Sequence, residues 1–166
     1  MNKLSAFCLF IACSCSSAFC LDYDFSSTVY IPINVHITEE ISTTMPIYEG
    51  QKLDFKVKRT VYNNNKVVVN KGDIIKGEIG TIITNGMNGF PAEIILDNFQ
   101  IPNVNQSQIV GTYTKAGVNR CFWVYPLKWA MTPLYPAGSL TNFIKGGQAK
   151  IKTSDIITIY YYPEWK

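Results

Sequence analysis

Apolar and polar residues alternate along most of the chain, and the period is two. From 29 to 38, Val29, Ile31, Ile33, Val35 and Ile37 fall on one side while Tyr30, Pro32, Asn34, His36 and Thr38 fall on the other. This predicts a strand with one buried face. Pro32 has no amide hydrogen to donate, so the strand is expected at a sheet edge or paired only on its other side. A connection follows from Glu39 to Gly50, with a short strand over 41–44 and a turn at Tyr48–Gln51. From 53 to 61, Leu53, Phe55, Val57 and Val61 face the core and Asp54, Lys56, Lys58 and Thr60 face water. Arg59 breaks the inner row, which places it near the strand's end, where its guanidinium reaches solvent or a carboxylate.

The densest pattern runs from Lys66 to Ile101 and predicts a β-meander with strands over 67–69, 74–83 and 92–101. Asn63-Asn64-Asn65 forms the hairpin turn leading into it. Its own turns are rich in Gly and Asn, which tolerate positive φ. The strand over 74–83 has apolar residues on both faces, so it is covered on both sides or curls as in a barrel. Gly77 and Gly80 favour the curl, because glycine within a strand often marks a bulge or bend.

Downstream, short strands are expected over 108–113 and 120–125, with a turn at Lys115-Ala116-Gly117 between them. In the second strand Cys121, Trp123 and Tyr125 would share a face. Pro126, Pro133 and Pro136 then interrupt an aromatic segment and exclude a long helix. Ser139 can cap one helical turn over 140–145, closed by Gly146-Gly147. A last hairpin over 148–152 and 156–162 turns at Thr153-Ser154-Asp155. The class predicted is all-β: a small barrel or sandwich of about eight or nine mainly antiparallel strands with at most one short helical turn.

The N-terminus changes the picture from fold to compartment. Met1-Asn2-Lys3 is a positive lead, Leu4 to Ala12 is a compact apolar run, and Ser14 to Cys20 is small and polar, as in a secretory signal peptide. Spanning a bilayer takes about 20 apolar residues, more than this run supplies. Residues 1–20 are therefore read as the signal and 21–166 as a single all-β domain, secreted or held in the periplasm or cell envelope. Cleavage after Ala18 or after Cys20 suits the small-residue rule. A lipoprotein reading stays open, since Phe10-Ile11-Ala12-Cys13 resembles a lipobox with Cys13 as the lipidated residue. Of the five cysteines, Cys8, Cys13, Cys15 and Cys20 lie in this segment and leave Cys121 in the domain, so there is no disulfide framework and no zinc spacing.

Composition narrows function by exclusion. Of the 166 residues, 47% are hydrophobic and 16% charged, which describes a globular chain, and the net charge of +3 is spread without a basic block. That spread argues against nucleic acid as the main partner. His36 is the single histidine, so no multi-histidine metal site can form, and a Cys121–His36 dyad sits in no motif. Glu78, Glu93 and Asp97 are the carboxylates to consider for a hydrolase, but their phase reads as a solvated or salt-bridged face. Glycine-rich turns at Lys71-Gly72 and Gly86–Gly89 lack a phosphate-loop arrangement. No catalytic residue, cofactor or metal is assigned.

The aromatics are the remaining candidates. Trp123, Tyr125, Trp129, Tyr135 and Phe143 form a possible interaction patch, against the plainer reading that large rings fill the core of a small β-fold. The order of a Gly50 turn, the strand over 53–61, a hairpin and Val69-x-Lys71-Gly72-x-x-x-x-Gly77-x-Ile79 is similar to β-domains of bacterial envelope proteins. It distantly resembles the extracytoplasmic β-barrel domain of the TrbI/VirB10 components of type IV secretion. The likeness covers about a third of the chain, and it implies a non-catalytic envelope module without transferring any functional residue. The expectation is thus a structural or protein-interaction module of the envelope whose partner is another envelope protein. The alternatives are a barrel that binds a glycan or small ligand, then a carboxylate-dependent hydrolase.

Overall fold

A computed structural model of the chain describes residues 30–132 and 136–163. The strands are β1 (Ile31–Ile37), β2 (Ile41–Ser42), β3 (Lys52–Val57), β4 (Val61–Asn63), β5 (Lys66–Val69), β6 (Ile74–Ile83), β7 (Glu93–Gln100), β8 (Ile109–Val110), β9 (Tyr113–Ala116), β10 (Lys150–Ile151) and β11 (Ile157–Tyr161). One helix, α1 (Cys121–Met131), and a 3-10 stretch over Pro136–Phe143 lie between β9 and β10, while shorter 3-10 turns occupy Met87–Gly89 and Gln106–Gln108. Seven strands in the order β8-β11-β1-β3-β6-β7-β9 make one antiparallel sheet that curls into a half-barrel. Two small sheets, β10-β2 and β4-β5, complete the all-β architecture.

The period-two pattern chooses the buried face. Ile33 and Val35 of β1, Phe55 of β3, Ile75 and Ile79 of β6, Ile94 and Leu96 of β7, and Ile157 and Ile159 of β11 are all fully buried in one core. Their β-branched and aromatic side chains suit a pleated, half-buried surface. The pairing of β6 with β7 shifts register twice: between Lys76 and Glu78, where β7 carries the extra residue, and between Ile79 and Thr81, where β6 carries it. Gly77 and Gly80 lie at these two irregularities. The extra residue at each bulge increases the local twist and bends the strand.

Several expectations need correction. The strand containing Pro32 is internal, between β11 and β3, yet β3 pairs only with Val35–Ile37, so Pro32 has a neighbour on the β11 side alone. Asn34, in phase with Pro32, turns its carbonyl to the Lys58 amide on the β3 side, so the missing donor of Pro32 faces a side on which no strand pairs with it. The strand expected over 53–61 breaks after Val57, and β4 with β5 forms a separate hairpin in which Asn64 (φ 47°) and Asn65 (φ 61°) make the turn. The meander thus loses its first strand and keeps β6 and β7. The segment over 108–113 divides into β8 and β9, and Lys115 and Ala116 belong to β9 rather than to a turn. Strands β10 and β11 are not partners: β10 pairs with β2, and β11 lies between β1 and β8.

The largest correction concerns 120–125, which is helical, so the fold has an eleven-residue helix beyond the single turn expected. The Asn119 side chain accepts the Cys121 amide hydrogen at 2.8 Å and satisfies one of the first-turn donors. At the other end the Thr132 amide donates to the Lys128 carbonyl, and Lys128 sits favourably in the last turn against the helix dipole. Pro126 lies inside the helix, where it removes one intrahelical bond without ending it. The helical turn expected over 140–145 is instead the end of the 3-10 stretch.

Candidate functional site

Helix α1, the 3-10 turn at Met87–Gly89 and the 3-10 stretch form one end of the molecule, joined through backbone. The Arg120 amide donates to the Gly89 carbonyl at 3.0 Å, the Gly89 amide to Ile144 at 2.8 Å, and the Gly146 amide to Gly86 at 3.3 Å. Close approach at this junction requires glycine: a side chain at Gly89, held at φ +85°, would press on the backbone of Arg120 and Cys121. The Lys128 ammonium donates to the Asn142 amide oxygen at 3.2 Å and links the helix to the 3-10 stretch.

On this frame the aromatic residues are presented outward. Phe122 is 77% exposed, Trp129 76% and Phe143 78%, with Trp123 and Tyr125 about half as open. Only Val124 of α1 is buried. Phe90 adds a ring that meets Tyr125 edge-on at 6.5 Å, and Met87 is also exposed. The predicted patch residues Trp123, Tyr125, Trp129 and Phe143 therefore share one end of the protein, while Tyr135 lies outside the described residues. Trp123 and Tyr125 share no strand face, because the segment is helical. The signal peptide, its four cysteines and the lipobox reading at Cys13 also lie outside the described residues.

The other candidates separate. Glu78 and Asp97 stand opposite each other in β6 and β7, whereas Glu93 pairs with Ile83 farther along the same ladder. The Glu78 carboxylate accepts the Asn98 amide at 2.6 Å and borders a small hollow with Lys52, Lys76 and Asn98; neither Asp97 nor Glu93 lines it. Cys121 is a half-buried free thiol at the start of α1. His36 is elsewhere, on β1 beside Lys56 of β3.

That neighbourhood is what sequence reading missed. His36, Lys56, Lys58, Arg59, Lys71 and Gly72 line an open hollow of about 720 Å³. The basic residues are dispersed along the chain, and the fold gathers them. The pairing of β1 with β3 sets His36 opposite Lys56, the Lys58 amide donates to the Asn34 carbonyl at 2.9 Å, and the Gly72 amide donates to the Val57 carbonyl at 2.9 Å. The signal available in sequence was the run of outward lysines at 52, 56 and 58 ending at Arg59.

Among the described residues no group of three or more metal-ligating side chains gathers, and no helix is long and apolar enough to cross a membrane. No family model, curated protein or solved structure matches the chain.

Proposed function

We propose that the protein is a non-catalytic, extracytoplasmic interaction module of the cell envelope, exported by its N-terminal segment, and that the end built on α1 docks against a partner protein. The observation that carries this reading is a helix apolar on nearly every side with one buried residue, Val124. A helix of that character is normally covered. Isolated exposed apolar residues are ordinary, but a contiguous aromatic set on rigid elements is the usual anchor of an interface.

Charge selects the kind of partner. Between Asp97 and Asp155 the chain contains no acidic residue, and Arg120, Lys128 and Lys145 border the aromatic end. The complementary surface is an apolar pocket with an acidic rim on a neighbouring envelope protein.

Affinity capture from envelope extracts, with wild type and a Phe122→Ala/Trp129→Ala variant, followed by binding between purified components, tests the reading. It is supported when a purified partner binds wild type directly and the variant at least about tenfold more weakly. Identical binding by both proteins overturns it, as does binding to anionic vesicles, in the absence of any protein partner, that the Phe122→Ala/Trp129→Ala variant loses. The intact mass of the exported protein tests the compartment: loss of the first 18 or 20 residues supports export by cleavage, a lipid-bearing Cys13 places the module on a membrane surface, and an unprocessed chain overturns export.

A further inference from the structure

We infer that the basic hollow between β1, the bend after β3 and the turn before β6 is a binding site for a small, multiply phosphorylated anion. It is independent of the aromatic end.

The first reason is uncompensated charge. Lys56, Lys58, Arg59 and Lys71 line one hollow together with His36, and its lining contains no carboxylate. Among the described residues the ion pairs are Lys115–Asp155 and Lys150–Glu40, so none of these four cations is paired. Nearby carboxylates have other engagements. Asp73 accepts the Asn70 amide hydrogen at 2.8 Å within the β5–β6 turn, and Asp54 faces Lys76 across the β3–β6 ladder and borders a different hollow with Glu39 and Lys52. Gathering like charges costs repulsion that an anion relieves.

The second reason is construction. These cations stand on hydrogen-bonded backbone rather than on a loose tail. Lys71 donates its amide to the Thr60 hydroxyl at 3.0 Å, Val57 donates to the Asp73 carbonyl at 3.0 Å, and these bonds tie the β5–β6 turn to the end of β3. Gly72, at φ +93°, lets the turn pass beside the Lys56 stem; a Cβ there would stand 3.8 Å from Lys56 Cε. Lys56 and Lys71 thus line the same hollow from two elements.

The third reason is chemical type. Arg59 offers a planar fork that binds two oxygens of one phosphate, and lysine ammonium groups serve as mobile point charges for others. A hollow of about 720 Å³ has room for more than one phosphate group. Its openness to solvent implies an affinity that falls steeply with added salt. Clustered phosphates are the recognised chemistry, whether carried by a soluble sugar phosphate or by a lipid headgroup.

The test is titration of the purified protein with inositol hexakisphosphate, and in parallel with phosphatidylcholine vesicles with and without phosphatidylinositol bisphosphate. Three variants are compared: Lys56→Gln/Lys71→Gln, Arg59→Gln, and the charge-matched control Lys66→Gln/Lys152→Gln. Binding of inositol hexakisphosphate that weakens about tenfold or more in the first two and stays within about twofold in the control supports the proposal with a soluble ligand. The same ranking seen only on phosphatidylinositol bisphosphate vesicles supports it with a headgroup as the source. Equal weakening in all three variants, absence of binding to both probes, or a single-stranded oligonucleotide outcompeting both overturns it. Arg59→Gln keeps the test decisive if the double variant folds poorly.

Discussion

The rings of Phe55 and Phe99 meet edge to face across Gly77, with centroids 5.2 Å apart and planes at 65°. They come from β3 and β7, the strands flanking β6, and close over the one position between them that has no side chain. A Cβ on Gly77 would stand 2.9 Å from both rings. The pair therefore packs the inner face of the sheet at a place where the register between β6 and β7 shifts.

Gly77→Ala is expected to destabilise the protein by about 2 kcal/mol, because both rings must leave their packed positions. Urea unfolding checks this through a lower midpoint at unchanged slope. Phe99→Leu introduced with it is expected to cost less than it does alone, since the smaller side chain makes room for the new methyl group. That coupling appears as non-additivity in the double-mutant cycle.

Helix α1 separates stability from contact. Val124→Ala removes its buried side chain and is expected to cost about 1–2 kcal/mol, whereas Phe122→Ala and Trp129→Ala, at largely exposed positions, are expected to change stability by no more than about 0.5 kcal/mol. Thermal unfolding of the three variants distinguishes them. A large cost for Trp129→Ala would mean that its ring packs against the protein.

At the start of the same helix the Asn119 side chain, one position before the N-cap residue Arg120, accepts the Cys121 amide hydrogen. Asn119→Ala leaves the Cys121 amide without its acceptor and is expected to cost about 1 kcal/mol. Hydrogen exchange is expected to accelerate within α1 and to leave β1, β3 and β6 unchanged, because local openings follow local contacts.

One ion pair predicts a pH response. Lys115 donates to Asp155 at 2.9 Å, joining β9 to the turn before β11. This hydrogen bond holds the Asp155 carboxyl below the ordinary carboxylate range despite an opposing desolvation effect, and the Lys152 backbone amide lowers it further. The same bond raises Lys115 above the ordinary lysine range. The Asp155 contribution is present above the unfolded-state carboxylate value and is lost as pH falls through the lowered folded value. The Lys115 contribution is complete below the unfolded-state lysine value and is lost as pH rises through the raised folded value. Both side chains retain contact with solvent, so the pair is expected to contribute only about 0.5 kcal/mol. Unfolding midpoints of wild type and Asp155→Asn should differ near neutral pH and converge in acid.

Strand positions were legible wherever a period of two coincided with a buried face, as in β1, β3 and β7. The irregularity along β6 was legible because glycine within a strand often marks a bulge or close approach, and Gly77 and Gly80 stand at the two register shifts. The helix was not. Trp123 and Tyr125 carry β propensity, and Pro126 resembles a stop signal, yet a cap at Asn119 and the junction at Gly89 outweigh both. Of the candidate patch, the aromatic composition was visible, but composition alone leaves open whether a ring fills a core or faces water. The basic hollow was invisible for a related reason, since Lys56, Lys58 and Arg59 meet Lys71 and His36 only through strand pairing.

The sequence by itself determined an all-β chain, the inward row of each main strand, and the turns at Gly50, Asn64–Asn65 and Lys71–Gly72, because alternation and backbone conformational preference are local properties. Tertiary structure alone decided that β10 joins β2, that β11 lies beside β1, that the aromatic segment folds into an exposed helix, and that dispersed cations share one hollow. Those outcomes depend on which distant backbone groups satisfy one another and on the register at which they do so, and no stretch of sequence contains that choice on its own.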